Sequence, residues 1–264
     1  MAFDSSNCMS ELATAIVGYT GRLDAGAYLV GGLRRLEYAR RDRAGVAVVG
    51  GRGLQVAAAE GELPLESALE RVCVRGGTGV GFMHWSAHGE PAGAAARLSC
   101  YRDVAVVLHG TIDNLGELEP YAGEFDPSMP DDQALARFVA HTLDDHLELG
   151  DALAEVARAA RGAYALLVVA ESRADALFAI SHGVPLAIGR GQAGAFVASD
   201  LPALPRELDE LRVLDDGDVA VVRPCGVQMI DCLMPRIHAH AAPAEAPVAR
   251  PGIDTLVSLL GAEF

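Results

Sequence analysis

His84, His88 and His109, together with Asp131, are the side chains of this chain best suited to acid–base work. A histidine titrates near neutral pH and can give or take a proton there. Two of the histidines flank the only tryptophan, in the run His84-Trp85-Ser86-Ala87-His88-Gly89. Each also has a plain structural use: Trp85 in a core, His88 closing a turn before Gly89, and Asp131 capping the helix that follows it. The five cysteines, Cys8, Cys73, Cys100, Cys225 and Cys232, are irregularly spaced with no CxxC pair. Neither a zinc site nor a disulfide framework is expected from them. His238 and His240 lie in an Ala/Pro-rich stretch and are weak grounds for a metal. Arg34, Arg35, Arg40, Arg41 and Arg43 crowd together and suit either a solvated helix end or a contact with an anion or acidic partner.

A net charge of −15 and a pI near 4.8 argue against nucleic acid as a partner, because the phosphate backbone asks for a basic face. The chain has 264 residues and 51% hydrophobic composition, enough for a packed core. It has no apolar run long enough to cross a bilayer. Residues Met1 to Glu11 lack the basic start and apolar centre of a secretory signal. A cytoplasmic protein without membrane contact, metal or cofactor is the expectation.

The elements that must position these side chains are mostly short β-rich runs bounded by glycine. Val46–Val49, Val80–Trp85, Val104–His109, Tyr164–Ala170, Ala176–Ile180, Leu186–Gly189, Phe196–Ser199 and Val219–Val222 read as strands, several apolar throughout and so buried on both faces. Helical patterns cover Ala25 to Tyr38, Leu65 to Val72, a segment through Leu135 and Leu143 that starts at Pro130-Asp131, and one through Leu153 and Ala160. Consecutive hairpins imply antiparallel pairing, and helices covering such sheets give a layered α+β sandwich. Residues 1–13 form an N-terminal extension and 14–234 the main domain. An Ala/Pro-rich linker over 235–251 and a short amphipathic helix over 252–264 follow.

Within the main domain, Ala15-Ile16-Val17-Gly18-Tyr19, Gly31-Gly32-Leu33-Arg34-Arg35-Leu36-Glu37-Tyr38 and Asp42-Arg43-Ala44-Gly45-Val46-Ala47-Val48 form a recognisable opening. Gly81 to Pro91, His109-Gly110-Thr111-Ile112-Asp113-Asn114, Arg161 to Leu166, Gly183 to Leu186, Ala198-Ser199-Asp200 and Leu214 to Asp218 continue it in order. These blocks resemble the class II glutamine amidotransferases, in particular the glutaminase domain of the glucosamine-6-phosphate synthase family, from about Ala15 to Ile230. The resemblance implies a four-layer αββα sandwich of two mainly antiparallel sheets, the N-terminal nucleophile hydrolase fold. A sugar isomerase domain is not expected in this sequence.

The chemistry this implies is acyl transfer from glutamine: an N-terminal cysteine attacks the amide with its own α-amine as base. An asparagine and backbone donors hold the oxyanion, an arginine holds the substrate carboxylate, and an aspartate its amine. By the resemblance, Thr14 stands at the nucleophile position with thirteen residues before it, and His84 at the carboxylate-binding arginine. Gly110 and Thr111 stand at the oxyanion asparagine and glycine positions, and Ala87 replaces a threonine beside the substrate. Trp85, His88, Gly89 and Asp131 match. One oxyanion donor alone is worth about 10²–10³ in rate. Losing nucleophile, clamp and donor together implies a glutaminase that no longer works. A binding module for a separate isomerase- or transferase-type subunit is one consequence, and a sensor of an amino-acid-like ligand another. The alternative is an N-terminal nucleophile amidohydrolase or amidotransferase using Thr14 after removal of a propeptide.

Overall fold

The computed structural model describes residues 14–36, 43–60, 67, 75–84, 97–118, 131–145, 149–230 and 232. In chain order the elements are β1 (Thr14–Gly21), α1 (Ala25–Arg35), β2 (Arg43–Gly50), β3 (Gly53–Glu60), β4 (Thr78–His84), β5 (Arg97–Tyr101) and β6 (Val104–Ile112). There follow α2 (Leu115–Leu118), α3 (Asp131–Asp145), α4 (Leu149–Ala159), β7 (Gly162–Ala170), β8 (Leu177–His182) and β9 (Ala187–Gly191). The last are β10 (Gly194–Ala198), β11 (Glu210–Val213), β12 (Val219–Arg223) and β13 (Gly226–Ile230). The described strands form a seven-stranded sheet in the order β11-β9-β10-β1-β4-β2-β3 and a six-stranded sheet in the order β13-β12-β8-β7-β6-β5. Neighbouring strands pair antiparallel in both sheets.

The apolar side chains divide among three cores. Ile16, Val49, Val80 and Phe82 of the first sheet meet Val107, Leu167, Leu177 and Val222 of the second. The outer face of the first sheet carries Val17, Val46 and Met83 against Leu29 and Leu33 of α1. The outer face of the second carries Val106, Leu166 and Phe178 against Leu135 and Phe138 of α3 and Leu153 and Val156 of α4. The layers therefore run helix, sheet, sheet, helix, as the resemblance implied. Strand residues are apolar at nearly every position because every face of each central strand is covered. Each fully buried Leu, Val or Phe contributes about 1.5–3 kcal/mol. Glycine lets α1 sit close: a Cβ at Gly79 would lie 3.0 Å from Leu29 Cδ1.

The eight strands read from the sequence are present, with ends shifted by up to three residues. The strands β1, β3, β5, β11 and β13 were not among them. β1 and β3 are diluted by glycine and alanine, β11 is exposed throughout, and β5 is a short edge strand, so none carries a strong apolar run. Helix α1 is shorter than Ala25–Tyr38. Asp24 caps its start and accepts from the Gly26 N–H, and Leu36 closes it with a bond to Leu33 O. Leu23 falls outside it, half exposed, and its buried face runs through Gly26, Leu29, Val30 and Leu33, with Ala27 turned outward. The expected helix over Leu65–Val72 lies outside the described residues apart from Ser67, as do the extension, the linker and the terminal helix. No described helix is long and apolar enough to cross a membrane.

Candidate active site

Thr14 is the first residue of β1 and His84 the last of β4, and they stand directly opposite each other in the antiparallel pairing. His84 in turn stands opposite Arg43, the first residue of β2. The row Thr14–His84–Arg43 thus crosses three adjacent strands at one end of the first sheet. Side chains alternate along a strand, so its face can be read from the cores. Ile16, Phe82 and Ala47 face the second sheet, whereas Ala15, Met83 and Ala44 face α1. Stepping by two from the first set places Thr14, His84 and Arg43 together on the face between the sheets. Thr14 and His84 are buried, and Arg43 is exposed.

His109 lies across the gap. On β6, Ala105 and Val107 face the first sheet, and the same alternation carries His109 to that face. Two close approaches fix the direction. A Cβ on Gly45 would lie 2.7 Å from the Phe82 ring and 3.4 Å from Leu98 Cδ2, and Leu98 pairs with Val107, next to His109 on that face. At the other end of the row, a Cβ on Gly18 would lie 2.5 Å from Leu177 Cδ2, deeper in the gap. Thr14, His84, Arg43 and His109 therefore collect at the same end of the two sheets.

The start of β1 is held by a serine whose role the strand pattern does not reveal. Ser199, one residue past β10, accepts from the Ile16 N–H with its hydroxyl (3.2 Å) and donates its own N–H to Ile16 O (3.0 Å). Its hydroxyl proton goes to Asp200 Oδ2 at 2.8 Å. With both hydroxyl capacities used, Ser199 fixes β1 two residues from Thr14.

Gly110 and Thr111 close β6. Gly110 has φ +95°, and a Cβ there would lie 2.2 Å from Ala163 O on β7. Thr111 lies outside the positive-φ region and its side chain is exposed. Beyond them, buried Asn114 donates to Ala159 O (2.8 Å) and accepts from the Arg161 N–H (2.7 Å), while the Asp113 N–H donates to Arg161 O (2.7 Å). This clamp ties the end of β6 to the turn between α4 and β7. The asparagine amide, with donor and acceptor together, makes both bonds.

Asp131 is the first residue of α3, which packs on the outer face of the second sheet. Trp85, His88 and Gly89 lie outside the described residues, as does the side chain of Asp131. Among the described residues, no group of three or more His, Cys, Asp or Glu is placed to hold a metal ion. Among the described residues, Cys100, Cys225 and Cys232 form no disulfide. Arg35 donates to Pro202 O (3.1 Å) and Ala203 O (2.6 Å), so this member of the basic cluster has a structural use.

No protein-family model matches the chain. The glutamine–fructose-6-phosphate aminotransferase (isomerizing) of Rhizobium meliloti is 38% identical over 221 residues, which is 82% of this chain and 36% of that protein. The corresponding protein of Thermus thermophilus is 35% identical over 222 residues, again 82% of this chain and 36% of the relative. The chain thus spans little more than a third of the length of these relatives. Among solved structures, the glutamine phosphoribosylpyrophosphate amidotransferase of B. subtilis shares the fold with a TM-score of 0.62 at 20% identity, covering 81% of this chain and 48% of the other. The likeness to the two aminotransferases in sequence and the two-sheet sandwich in structure support a class II glutamine amidotransferase-like domain.

Proposed function

We propose that this domain has lost glutamine hydrolysis and acts as a binding or partner-interaction module. The observation that carries the reading is the setting of Thr14. It stands where the nucleophile would, at the head of β1 in the gap between the sheets, but follows Ala13, so its nitrogen is an amide. An amide nitrogen has no lone pair free to take the proton of an attacking hydroxyl, so nucleophile and base are lost together. His84 replaces the planar bidentate fork of an arginine with a shorter imidazole that cannot make two parallel bonds to a carboxylate.

The glycine-only backbone at Gly110 supports setting the asparagine–glycine pair of the oxyanion strand one residue earlier, at His109–Gly110. His109 would then keep a side-chain N–H at the oxyanion position, and the loss of activity rests on Thr14. The partner we favour is a separate cytoplasmic subunit of isomerase or transferase type. A small amino-acid-like ligand at the Thr14 end of the sheets would make the module a sensor.

Purified protein should release no ammonia from L-glutamine above a blank, and its intact mass should retain the residues before Thr14. The second reading, a threonine nucleophile freed by cleavage after Ala13, is favoured by the placement of Thr14 beside His84. A chain that starts at Thr14 and turns over glutamine until Thr14→Ala would establish that reading and overturn ours.

A further inference from the structure

We propose that Arg43 takes over the grip on a ligand carboxylate that His84 cannot supply, so that a small carboxylate-bearing ligand is held between β4 and β2. This rests on the ligand site proposed above at the Thr14 end of the gap. Arg43 stands directly opposite His84 and on the same face, with Thr14 on the far side of His84. Neighbouring cross-strand Cβ atoms lie about 4.5–5.5 Å apart, so an arginine side chain one strand away spans the offset to the imidazole. Arg35, Arg75, Arg102, Arg161 and Arg190 each bond to a carbonyl or carboxylate, whereas among the described side chains Arg43 makes no such contact, and its own side chain is exposed at the rim of the gap. Glu60 is its register neighbour on β3, away from Thr14.

The chemistry favours a carboxylate over a bare point anion. A guanidinium presents two parallel N–H donors that match the two oxygens of a carboxylate, and it stays charged at any relevant pH. Beside it, the imidazole of His84 and the hydroxyl of Thr14 extend a polar row into the gap, where an uncharged part of the ligand would lie. The row would therefore orient an elongated ligand with its carboxylate at the rim and its other end toward Thr14. Arg43 sets specificity by charge and has no part in bond breaking.

Calorimetric titration with L-glutamine and with L-glutaminamide, which lacks the carboxylate, tests this on the full chain. L-Glutamine should bind on the order of 10- to 100-fold more tightly than the amide, the range expected for a charge-assisted bond. Arg43→Gln should abolish the preference by weakening L-glutamine alone, and Arg43→Lys should keep part of it. Both variants should unfold at the wild-type midpoint, because the Arg43 side chain is exposed. A wild-type protein that binds neither probe, or shows no preference, overturns the proposal. So does a preference that survives Arg43→Gln. Ammonia release measured in the same samples separates the two readings: turnover would end the claim of lost hydrolysis while leaving the role of Arg43 to the titration.

Discussion

Gly110→Ala probes the strand end that would set the oxyanion position in the proposed site. The residue has φ +95°, which a side chain reaches only with strain of about 1–3 kcal/mol. The added methyl would lie 2.2 Å from Ala163 O and 3.0 Å from Tyr164 Cα, both backbone atoms of the neighbouring strand. Neither can rotate away as a side chain would. Relief requires β6 or β7 to move, and both are buried between the inter-sheet core and the core under α3 and α4. Strain and clash together should lower stability by about 3 kcal/mol or more. In a domain of this size that corresponds to a fall in Tm of roughly 6–12 °C. Urea denaturation followed by far-UV circular dichroism measures it, provided the transition slope is unchanged. Thr111→Gly is the control: its backbone needs no glycine, so it should lose only about 0.5–1 kcal/mol in chain entropy. If Gly110→Ala stays within about 0.5 kcal/mol of wild type, or Thr111→Gly is the more damaging change, the assignment of the glycine position to residue 110 is wrong.

Asn114→Ala should cost about 2–4 kcal/mol, because it strands the Arg161 N–H and Ala159 O, and denaturant midpoints will show whether it does. Ser199→Ala removes the acceptor of the Ile16 N–H and should cost about 1 kcal/mol, with faster hydrogen exchange at Ile16 as the local readout. The buried Tyr164 hydroxyl has no hydrogen-bond partner among the described residues, so Tyr164→Phe should change stability at pH 7 by less than about 0.5 kcal/mol. Burial, with a smaller contribution from Cys232, raises the Tyr164 pKa well above its ordinary 10.0. Below pH 10 both states keep the proton; above it the unfolded chain ionises first, so stability falls as pH rises through and beyond 10. Tyr164→Phe should make that alkaline fall shallower, and equal slopes for the two proteins would contradict it.

The sequence by itself determined the fold class and the order of its main elements. Runs such as Tyr164–Ala170, apolar at every position, have no stable setting except a strand covered on both sides. The spaced leucines and valines of α3 and α4 name the helices that cover one of those faces. The sequence also determined that Thr14 carries no free amine while Ala13 precedes it, which is a covalent fact. What the sequence left undecided depended on register. Arg43 is one of five crowded arginines in the sequence, and only the pairing of β2 with β4 sets it opposite His84. Gly110 and Thr111 are equally eligible for a glycine position until the β6–β7 pairing drives one of them to positive φ. Ser199 and Asn114 look like ordinary turn residues, and their bonds reach partners 183 and 45 positions away in the chain. Apolar patterning is a local property, because burial of a face depends on the residue types along one strand. Which polar groups meet depends on how distant strands align, and that alignment was settled only when the three cores packed together.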